Sequence, residues 1–313
     1  MNEEHFEILS ELGTRTTLVV PLIARGETLG ALTMASAAPG RRYGPADLDL
    51  ARELSHRAAL AIDNARLYRE AQQAIRLRDD FLSVASHELN TPLTSLMLSL
   101  QGLLQVPAER RLEPATVDRF FRLMARQGSR LTRLVSELLD VSRIQANLLS
   151  FQFQEGVDLV EVVQDIVSRS RPDLERAACP VVVRGSAHVL GRWDRSRLEQ
   201  VVTNLLSNAI KFGPGNPIEI TISEEAGCAR FSVSDHGMGM DLSQQQRLFE
   251  RFARGVSAEH YGGLGLGLYI SRHIVATHGG RIQAASQPGA GATFTVEIPY
   301  APPAEEVRRS CPA

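Results

Sequence analysis

Residues Phe81–Leu96, FLSVASHELNTPLTSL, are the stretch from which the rest of the chain can be interpreted. Their apolar side chains recur every three or four residues, which predicts an amphipathic helix. His87 and Thr91 are four residues apart and share one face of that helix, and Glu88 follows His87 directly. Pro92 has no N–H for the carbonyl of Glu88, and it predicts a bend that costs about 3 kcal/mol in an ordinary helix interior. A histidine beside a carboxylate and just before a bend indicates a site; the alternative is a satisfied surface or core histidine.

The bulk composition excludes several classes of protein. The chain has 313 residues, enough for two or three domains, and its 43% hydrophobic content is ordinary for a soluble protein. A net charge of −2 gives no general attraction for nucleic acid or membranes. The three cysteines have no paired spacing, and no apolar run is long enough to cross a bilayer. The acidic start is also unlike a signal peptide. These features predict a cytoplasmic protein with no nucleic-acid partner and no direct membrane insertion.

The N-terminal part combines a hairpin with a helix. Two β-rich runs, Thr16–Ile23 and Thr28–Ala35, are joined by the turn ARGE, and Pro21 indicates an edge strand or a bulge. A helix is expected from about Pro45. This stretch resembles the closing portion of a GAF domain, a sensor module. The resemblance implies that the opening strands would precede Met1, and we assign no ligand to this partial α/β piece.

Seam positions then recur at alternating spacings of four and three residues, which is typical of a parallel coiled coil. This spacing predicts a long signalling helix that passes rotation or a register change toward His87; the alternative is a surface helix packed on the N-terminal piece. The seam positions are Leu54, Ala58, Ala61, Ala65, Tyr68, Gln72 and Ile75.

Two long helices are predicted around the quoted stretch. The first should end near Leu104, the proline-containing loop 105–114 should interrupt it, and the second should run from about Ala115 to Ser150. Two antiparallel helices with single apolar faces cannot bury those faces alone. Pairing two such hairpins into a four-helix bundle does so, which predicts a homodimer.

After Ser150 the pattern changes to mixed strands and helices, which indicates a layered α/β domain. Asp158 should open a helix, and Arg195–Phe212 is a strong helix. The runs IEITISEE, ARFSVSD and GATFTVEIP are expected to form strands. The tail after about 301 is rich in proline and charge and is predicted to be disordered.

Polar residues in this domain have the chemistry of a nucleotide site. Asn204, Asn208 and Lys211 fall on one face of the Arg195–Phe212 helix. Two amides and an ammonium in a row suit hydrated Mg²⁺ and phosphates, although a solvated polar face is the ordinary alternative. Asp235 ends a strand and precedes flexible glycines, so it can accept a hydrogen bond from an adenine amino group or simply form a turn.

Glycines and arginines extend the predicted site. A glycine-rich loop running into a helix exposes N–H groups that cradle anions. Between it and Asp235, LFERFARG can form a mobile lid in which Arg251 or Arg254 reaches a phosphate. Together with Asp235, the further candidate residues of this nucleotide site are Gly237, Gly239, Gly263, Gly265, Gly267 and Thr293.

The order of these motifs resembles one family. HELNTPL is similar to the H-box of sensor histidine kinases, with Asn90 where a basic residue is usual. The later motifs resemble the N, G1, F, G2 and final glycine boxes of the GHKL-type (Bergerat) ATPase domain. The resemblance implies a multidomain α+β protein with domains at 1–68, 69–150 and 151–301 and a tail at 302–313. The last full domain would be a two-layer α/β sandwich.

The same resemblance implies roles. ATP with Mg²⁺ would phosphorylate His87, and Glu88 would accept a proton; the phosphoryl group would then pass to an aspartate of a separate response regulator. Thr91 would orient water for dephosphorylating that regulator. Asn208 would bind Mg²⁺, with Asn204 beside it and Lys211 on the phosphates. Three alternatives stay open: a GHKL ATPase clamp, a non-catalytic scaffold, and a phosphatase-dominant regulator.

Overall fold

A computed structural model describes residues 13–105, 114–225, 227–252 and 264–301. The chain divides into two compact units, residues 1–82 and 83–313. The predicted loop 105–114 lies almost wholly outside the described residues, and the predicted tail at 302–313 lies entirely outside them.

The first unit confirms the predicted hairpin. Strands β1 (Thr16–Ala24) and β2 (Glu27–Ser36) pair antiparallel. Arg25 and Gly26 between them have φ values of 50° and 85°, the left-handed pair that a two-residue hairpin turn requires. The register shifts between Leu22 and Ile23, so the irregularity expected near Pro21 occurs one residue later.

Helix α1 (Pro45–Leu104) follows, and it ends where the sequence predicts. Its buried residues in the first unit recur every four positions: Ala51, Ser55, Ala59 and Asp63. Ser55 donates a hydrogen bond to the carbonyl of Pro21, and Asp63 forms an ion pair with Arg25 at 2.8 Å. Along the predicted seam, by contrast, Tyr68 is 68% exposed and Ile75 is 46% exposed. The helix therefore packs on the hairpin through a face other than the predicted seam.

Helix α2 (Pro114–Gln145) is the second helix of the predicted pair. It ends about five residues before the predicted Ser150, because Asn147 takes a left-handed conformation with φ 53° and the N–H of Leu148 turns back to the carbonyl of Arg143. Several large apolar side chains of the two helices are exposed in the single chain: Leu93, Met97, Leu98, Leu100, Phe121, Val135 and Leu139.

The remainder is the predicted α/β domain. Helices α3 to α6 are Leu159–Arg176, Arg195–Phe212, Leu242–Arg247 and Gly267–Thr277. Strands β3 to β9 are Gln154–Asp158, Val181–Gly185, Leu190–Trp193, Ile218–Glu225, Cys228–Asp235, Arg281–Ser286 and Ala292–Pro299. The main sheet has the order β4-β6-β7-β9-β8, and β3 pairs with β5. The multidomain α+β architecture is confirmed.

Local signals explain the bounds of α4, which match the prediction. Asp194 caps its first turn by accepting from the N–H of Arg197, and Gly213 ends it. Strand β7 alternates between half-buried and buried residues throughout, and β9 does so over its first five residues, so one face of the sheet packs under the helices. This packing places the end of β7 beside the C-terminal end of α4.

Asp158 supports this domain at the start of α3. Its carboxylate accepts from the N–H of Val160 at 2.9 Å, from the N–H of Val189 at 3.1 Å, and from Nδ1 of His188 at 2.7 Å. Burial alone would raise the pKa of this carboxyl group, but the hydrogen bonds from His188, Val189 and Val160 outweigh burial and lower the pKa. The ionised form of Asp158 therefore stabilises the fold.

We expect Asp158→Ala to lower the free energy of unfolding of this domain by about 2 kcal/mol at neutral pH, since a cap and two further hydrogen bonds are lost. A carboxyl group whose pKa is lower in the folded state than in the unfolded state stabilises the fold at any pH above its unfolded pKa. That stabilisation is lost as the pH falls through the folded pKa. The difference from the parent should therefore shrink below about pH 4. Trp193 is the single, buried tryptophan, so its fluorescence during denaturation reports on this domain.

Asp173→Ala is the matched control. Asp173 is exposed at the end of the same helix and pairs only at the surface with Arg176. Its loss should change stability by less than about 0.5 kcal/mol. Equal losses in the two variants would contradict the role assigned to Asp158.

Candidate active site

His87 lies exposed on α1, in the second unit. The hydroxyl of Thr91 donates to the backbone carbonyl of His87 at 3.0 Å. Within the part of the chain that the structure describes, the imidazole of His87 makes no hydrogen bond or ion pair. The ring is therefore accessible to a reactant.

Glu88 has a different environment from its neighbour. Its side chain is only 8% exposed, and its Oε2 lies 3.2 Å from Nη2 of Arg130 on α2. The carboxylate thus contacts the second helix of the hairpin, and the hydrogen bond to His87 expected from the sequence is not formed in this arrangement. The sequence offered no signal for Arg130, which is 42 residues away.

The polar face of α4 contacts the start of α6. The amide of Asn204 donates from Nδ2 to the hydroxyl of Ser271 at 3.0 Å. A Cβ placed on Gly267 would lie 2.2 Å from Oδ1 of Asn204, so a side chain at this position would displace the Asn204 amide. Asn208 and Lys211 continue the same face, and Nζ of Lys211 lies 4.8 Å from the ring centroid of Phe212.

Asp235 is buried at the end of β7, beside the C-terminal end of α4. Its Oδ1 accepts from the N–H of Gly237 at 2.9 Å and from the N–H of Ala292 at 3.3 Å. Among the described residues, no donor is bonded to Oδ2. Burial raises the pKa of this carboxyl group, and the two N–H groups and His236 oppose that rise only in part.

The glycines predicted for the site shape its backbone. A Cβ on Gly237 would lie 2.1 Å from the carbonyl oxygen of Phe212, so the loop after Asp235 lies directly against the end of α4. Gly239 and Gly265 both have φ 66°. Helix α6 begins at Gly267 without a side-chain cap, which leaves its first N–H groups pointing toward the loop before it.

The predicted lid is only partly described. Arg251 lies over the ring of Tyr269 on α6, with 5.0 Å from Cζ to the ring centroid. Arg254 and Gly263 lie outside the described residues.

Thr293 is not brought together with Asp235. Its hydroxyl lies 2.8 Å from that of Ser234, whereas Asp235 pairs with Ala292 in the ladder between β7 and β9. Successive side chains of a strand point to opposite faces, so Thr293 and Asp235 face opposite sides of the sheet. The group of β9 that contacts Asp235 is instead the backbone N–H of Ala292.

Helix α2 also contacts α4, near the polar face described above. Asp140 accepts from Nη1 of Arg197 at 3.2 Å and from Nε2 of Gln200 at 2.8 Å. One turn earlier on α2, burial raises the pKa of the Glu137 carboxyl group. The charges of Arg133 and Lys211 oppose that rise, whereas the charge of Asp140 adds to it. The hairpin and the nucleotide-site helix thus share an interface.

Three families match successive parts of the chain. Residues 2–62 match the GAF domain, and residues 77–147 match the His Kinase A (phospho-acceptor) domain. Residues 193–302 match the histidine kinase-, DNA gyrase B-, and HSP90-like ATPase. The chain belongs to the sensor histidine kinase family. Its last domain is therefore an ATP-binding domain, and the phospho-acceptor domain contains His87.

Similar curated proteins are named histidine kinases. The sensor-like histidine kinase SenX3 of Mycolicibacterium smegmatis is 35% identical over 73% of this chain and 59% of its own length. The circadian input-output histidine kinase CikA of Synechococcus elongatus is 28% identical over 95% of this chain and 43% of its own length. This sensor histidine kinase chain therefore spans about half the length of these curated relatives.

The fold also has solved counterparts. The Acinetobacter baumannii histidine kinase AdeS aligns with a TM-score of 0.54 and 25% identity, covering 68% of this chain and 98% of that one.

Among the described residues of the present chain, no helix is both long and apolar enough to span a bilayer.

Proposed function

We propose that this sensor histidine kinase phosphorylates itself on His87 with ATP and then passes the phosphoryl group to an aspartate of a separate response regulator. The observation that carries the proposal is the pairing, in one chain, of an exposed histidine in a phospho-acceptor hairpin with a nucleotide-site geometry in the following domain. Neither part alone would support phosphotransfer.

The nucleotide would be held from three sides. Asp235 accepts the adenine amino group at Oδ2, because its Oδ1 already receives two backbone N–H groups. The uncapped start of α6 binds phosphate oxygens through its N–H groups. On α4, Lys211 neutralises phosphate charge. The amide oxygen of Asn208 fits Mg²⁺, which prefers oxygen ligands and supplies charge neutralisation on the phosphates when bound.

The acceptor chemistry follows from the hairpin. A neutral imidazole nitrogen of His87 attacks the terminal phosphorus, so an N–P bond forms while the P–O bond to ADP breaks. The proton on the other ring nitrogen passes to Glu88. For this step the exposed imidazole of His87 would rotate toward Oε1 of Glu88, while Oε2 stays on Arg130. Thr91, one turn away on the same helix face, would orient the water that dephosphorylates the regulator.

We also propose that the functional unit is a homodimer. The exposed apolar side chains of α1 and α2 in the second unit would be buried by a second hairpin, as a four-helix bundle requires. The predicted seam residues, such as Tyr68 and Ile75, remain open for the same partner. Within this dimer we keep the proposed domain limits at 1–68, 69–150 and 151–301, although α1 crosses the first of them without interruption.

Labelled ATP tests the proposed reaction. With Mg²⁺, the chain should take up label from γ-labelled ATP but none from α-labelled ATP. The label should survive alkali and be lost in acid, as expected for an N–P bond. Its addition to a receiver protein should then move the label to that protein. ATP turnover with no label on the chain would contradict the proposal and favour the ATPase clamp, and failure to bind ATP would favour the scaffold.

A further inference from the structure

Glu88 is a buried charge in a segment that contains no cation of its own. Between residues 81 and 105 it is the single Asp, Glu, Lys or Arg. Its side chain is nevertheless only 8% exposed. A buried carboxylate is costly unless a cation or hydrogen-bond donors compensate it, and otherwise it becomes protonated. The cation must therefore come from another segment.

Helix α2 supplies that cation. Nη2 of Arg130 lies 3.2 Å from Oε2 of Glu88, and the Arg130 side chain is itself two-thirds covered at 32% exposure. The neighbouring arginines on α2 point elsewhere. Arg126 donates to the carbonyl of Arg122, and Arg133 lies 3.9 Å from Glu137. Of these three arginines, Arg130 is the one that contacts Glu88.

We propose that Arg130 is a positioning residue for phosphotransfer to His87: it holds Oε2 of Glu88 and so fixes the position from which the other carboxylate oxygen can accept the proton of the His87 ring. A carboxylate can accept hydrogen bonds at both oxygens, so an anchor at Oε2 is compatible with a bond from the His87 ring at the other oxygen. This inference rests on the proposed function, because it assigns Arg130 a part in that reaction.

Two substitutions separate charge from bulk. Arg130→Met keeps an apolar stem of similar length without the charge, and Arg130→Lys keeps the charge. We expect Arg130→Met to lower the maximal rate of label incorporation about 10- to 100-fold, less than the loss of about 100-fold or more expected when the proton acceptor itself is removed. The KM for ATP should stay within about twofold, because the nucleotide site is untouched. Arg130→Lys should recover most of the rate.

Arg126→Met is the matched control, because Arg126 is exposed one turn away on the same helix and, among the described residues, donates only to a backbone carbonyl. Its rate should equal that of the parent. A rate for Arg130→Met equal to that of the parent would overturn the proposal, and so would a loss that appears entirely in the KM for ATP.

A double-mutant cycle with Glu88→Gln gives the decisive readout. If Arg130 acts through Glu88, Arg130→Met should cause no further loss in the Glu88→Gln background. Multiplying losses would show that Arg130 acts independently and would overturn the proposal. The double variant also removes the uncompensated charge, so it remains measurable where Arg130→Met alone unfolds. Absence of label on the parent chain would instead refute the proposed function, and the two failures are therefore distinguishable.

Discussion

His87→Gln should lower the incorporation of γ-phosphate label at least about a thousandfold, while its affinity for ATP stays within about twofold of that of the parent. Glutamine retains a polar side chain of similar reach, but its amide nitrogen has no lone pair available for attack on phosphorus. Removal of a nucleophile leaves only the contributions of binding and electrostatics, which cannot form the N–P bond. The nucleotide site lies in another domain, so its affinity for ATP should be unaffected.

The measurement is label retained after alkaline treatment, with ATP binding measured on the same preparations. His56→Gln is the control, since His56 is also exposed on α1 but lies in the first unit. It should label like the parent. Acid-labile label retained on His87→Gln would show that another residue is the acceptor, and the proposed reaction at His87 would have to be abandoned.

Local signals made some elements predictable from sequence. Helix α4 was predicted to its bounds because its apolar periodicity, its Asp194 cap and its terminal Gly213 are all within one segment. Asp235 was placed at a strand end because alternation along β7 is a local pattern. Strand β8, RIQAAS, was missed, since it has a single β-branched residue and gains its strand conformation from pairing with β9.

Contacts between segments were not predictable in the same way. The pairing of Arg130 with Glu88 depends on the register between two helices, which no pattern within either helix specifies. The packed face of α1 includes Ser55 and Asp63, whose polar side chains find partners on the hairpin, so a search for apolar residues selected a different face. The sequence predicts Thr293 as an ATP contact, but only the register of β9 on β7 shows that Thr293 and Asp235 face opposite sides of the sheet.

Asp235→Asn should lower ATP affinity about 100-fold or more. Two N–H groups, those of Gly237 and Ala292, point at Oδ1, so the amide of an asparagine would place its oxygen there. Its NH₂ group would then occupy the position of Oδ2 and face the adenine amino group, donor against donor. The lost charged hydrogen bond and the two unsatisfied donors together cost about 3 kcal/mol.

A 6-oxopurine nucleotide reverses the expected preference. Inosine triphosphate presents an acceptor where ATP presents its amino group, so the ratio of its affinity to that of ATP should rise in Asp235→Asn. The control, Asp241→Asn, changes an exposed helix-capping aspartate in the following loop and should leave the ratio unchanged. An unaltered ratio in Asp235→Asn would place the adenine elsewhere.

The pH dependence of ATP binding tests the same contact independently. Because burial raises the pKa of Asp235, its protonated form, which can donate from Oδ2, accumulates at a higher pH than for an exposed aspartate. As the pH is lowered, the affinity of the parent protein for ATP should therefore begin to fall at a higher pH than it would if the site contained an exposed aspartate. Asp235→Asn should show no such fall. A raised folded pKa also means that the ionised group weakens the fold as pH rises through that value. The neutral variant should thus be at least as stable at neutral pH, so its lost affinity cannot come from unfolding.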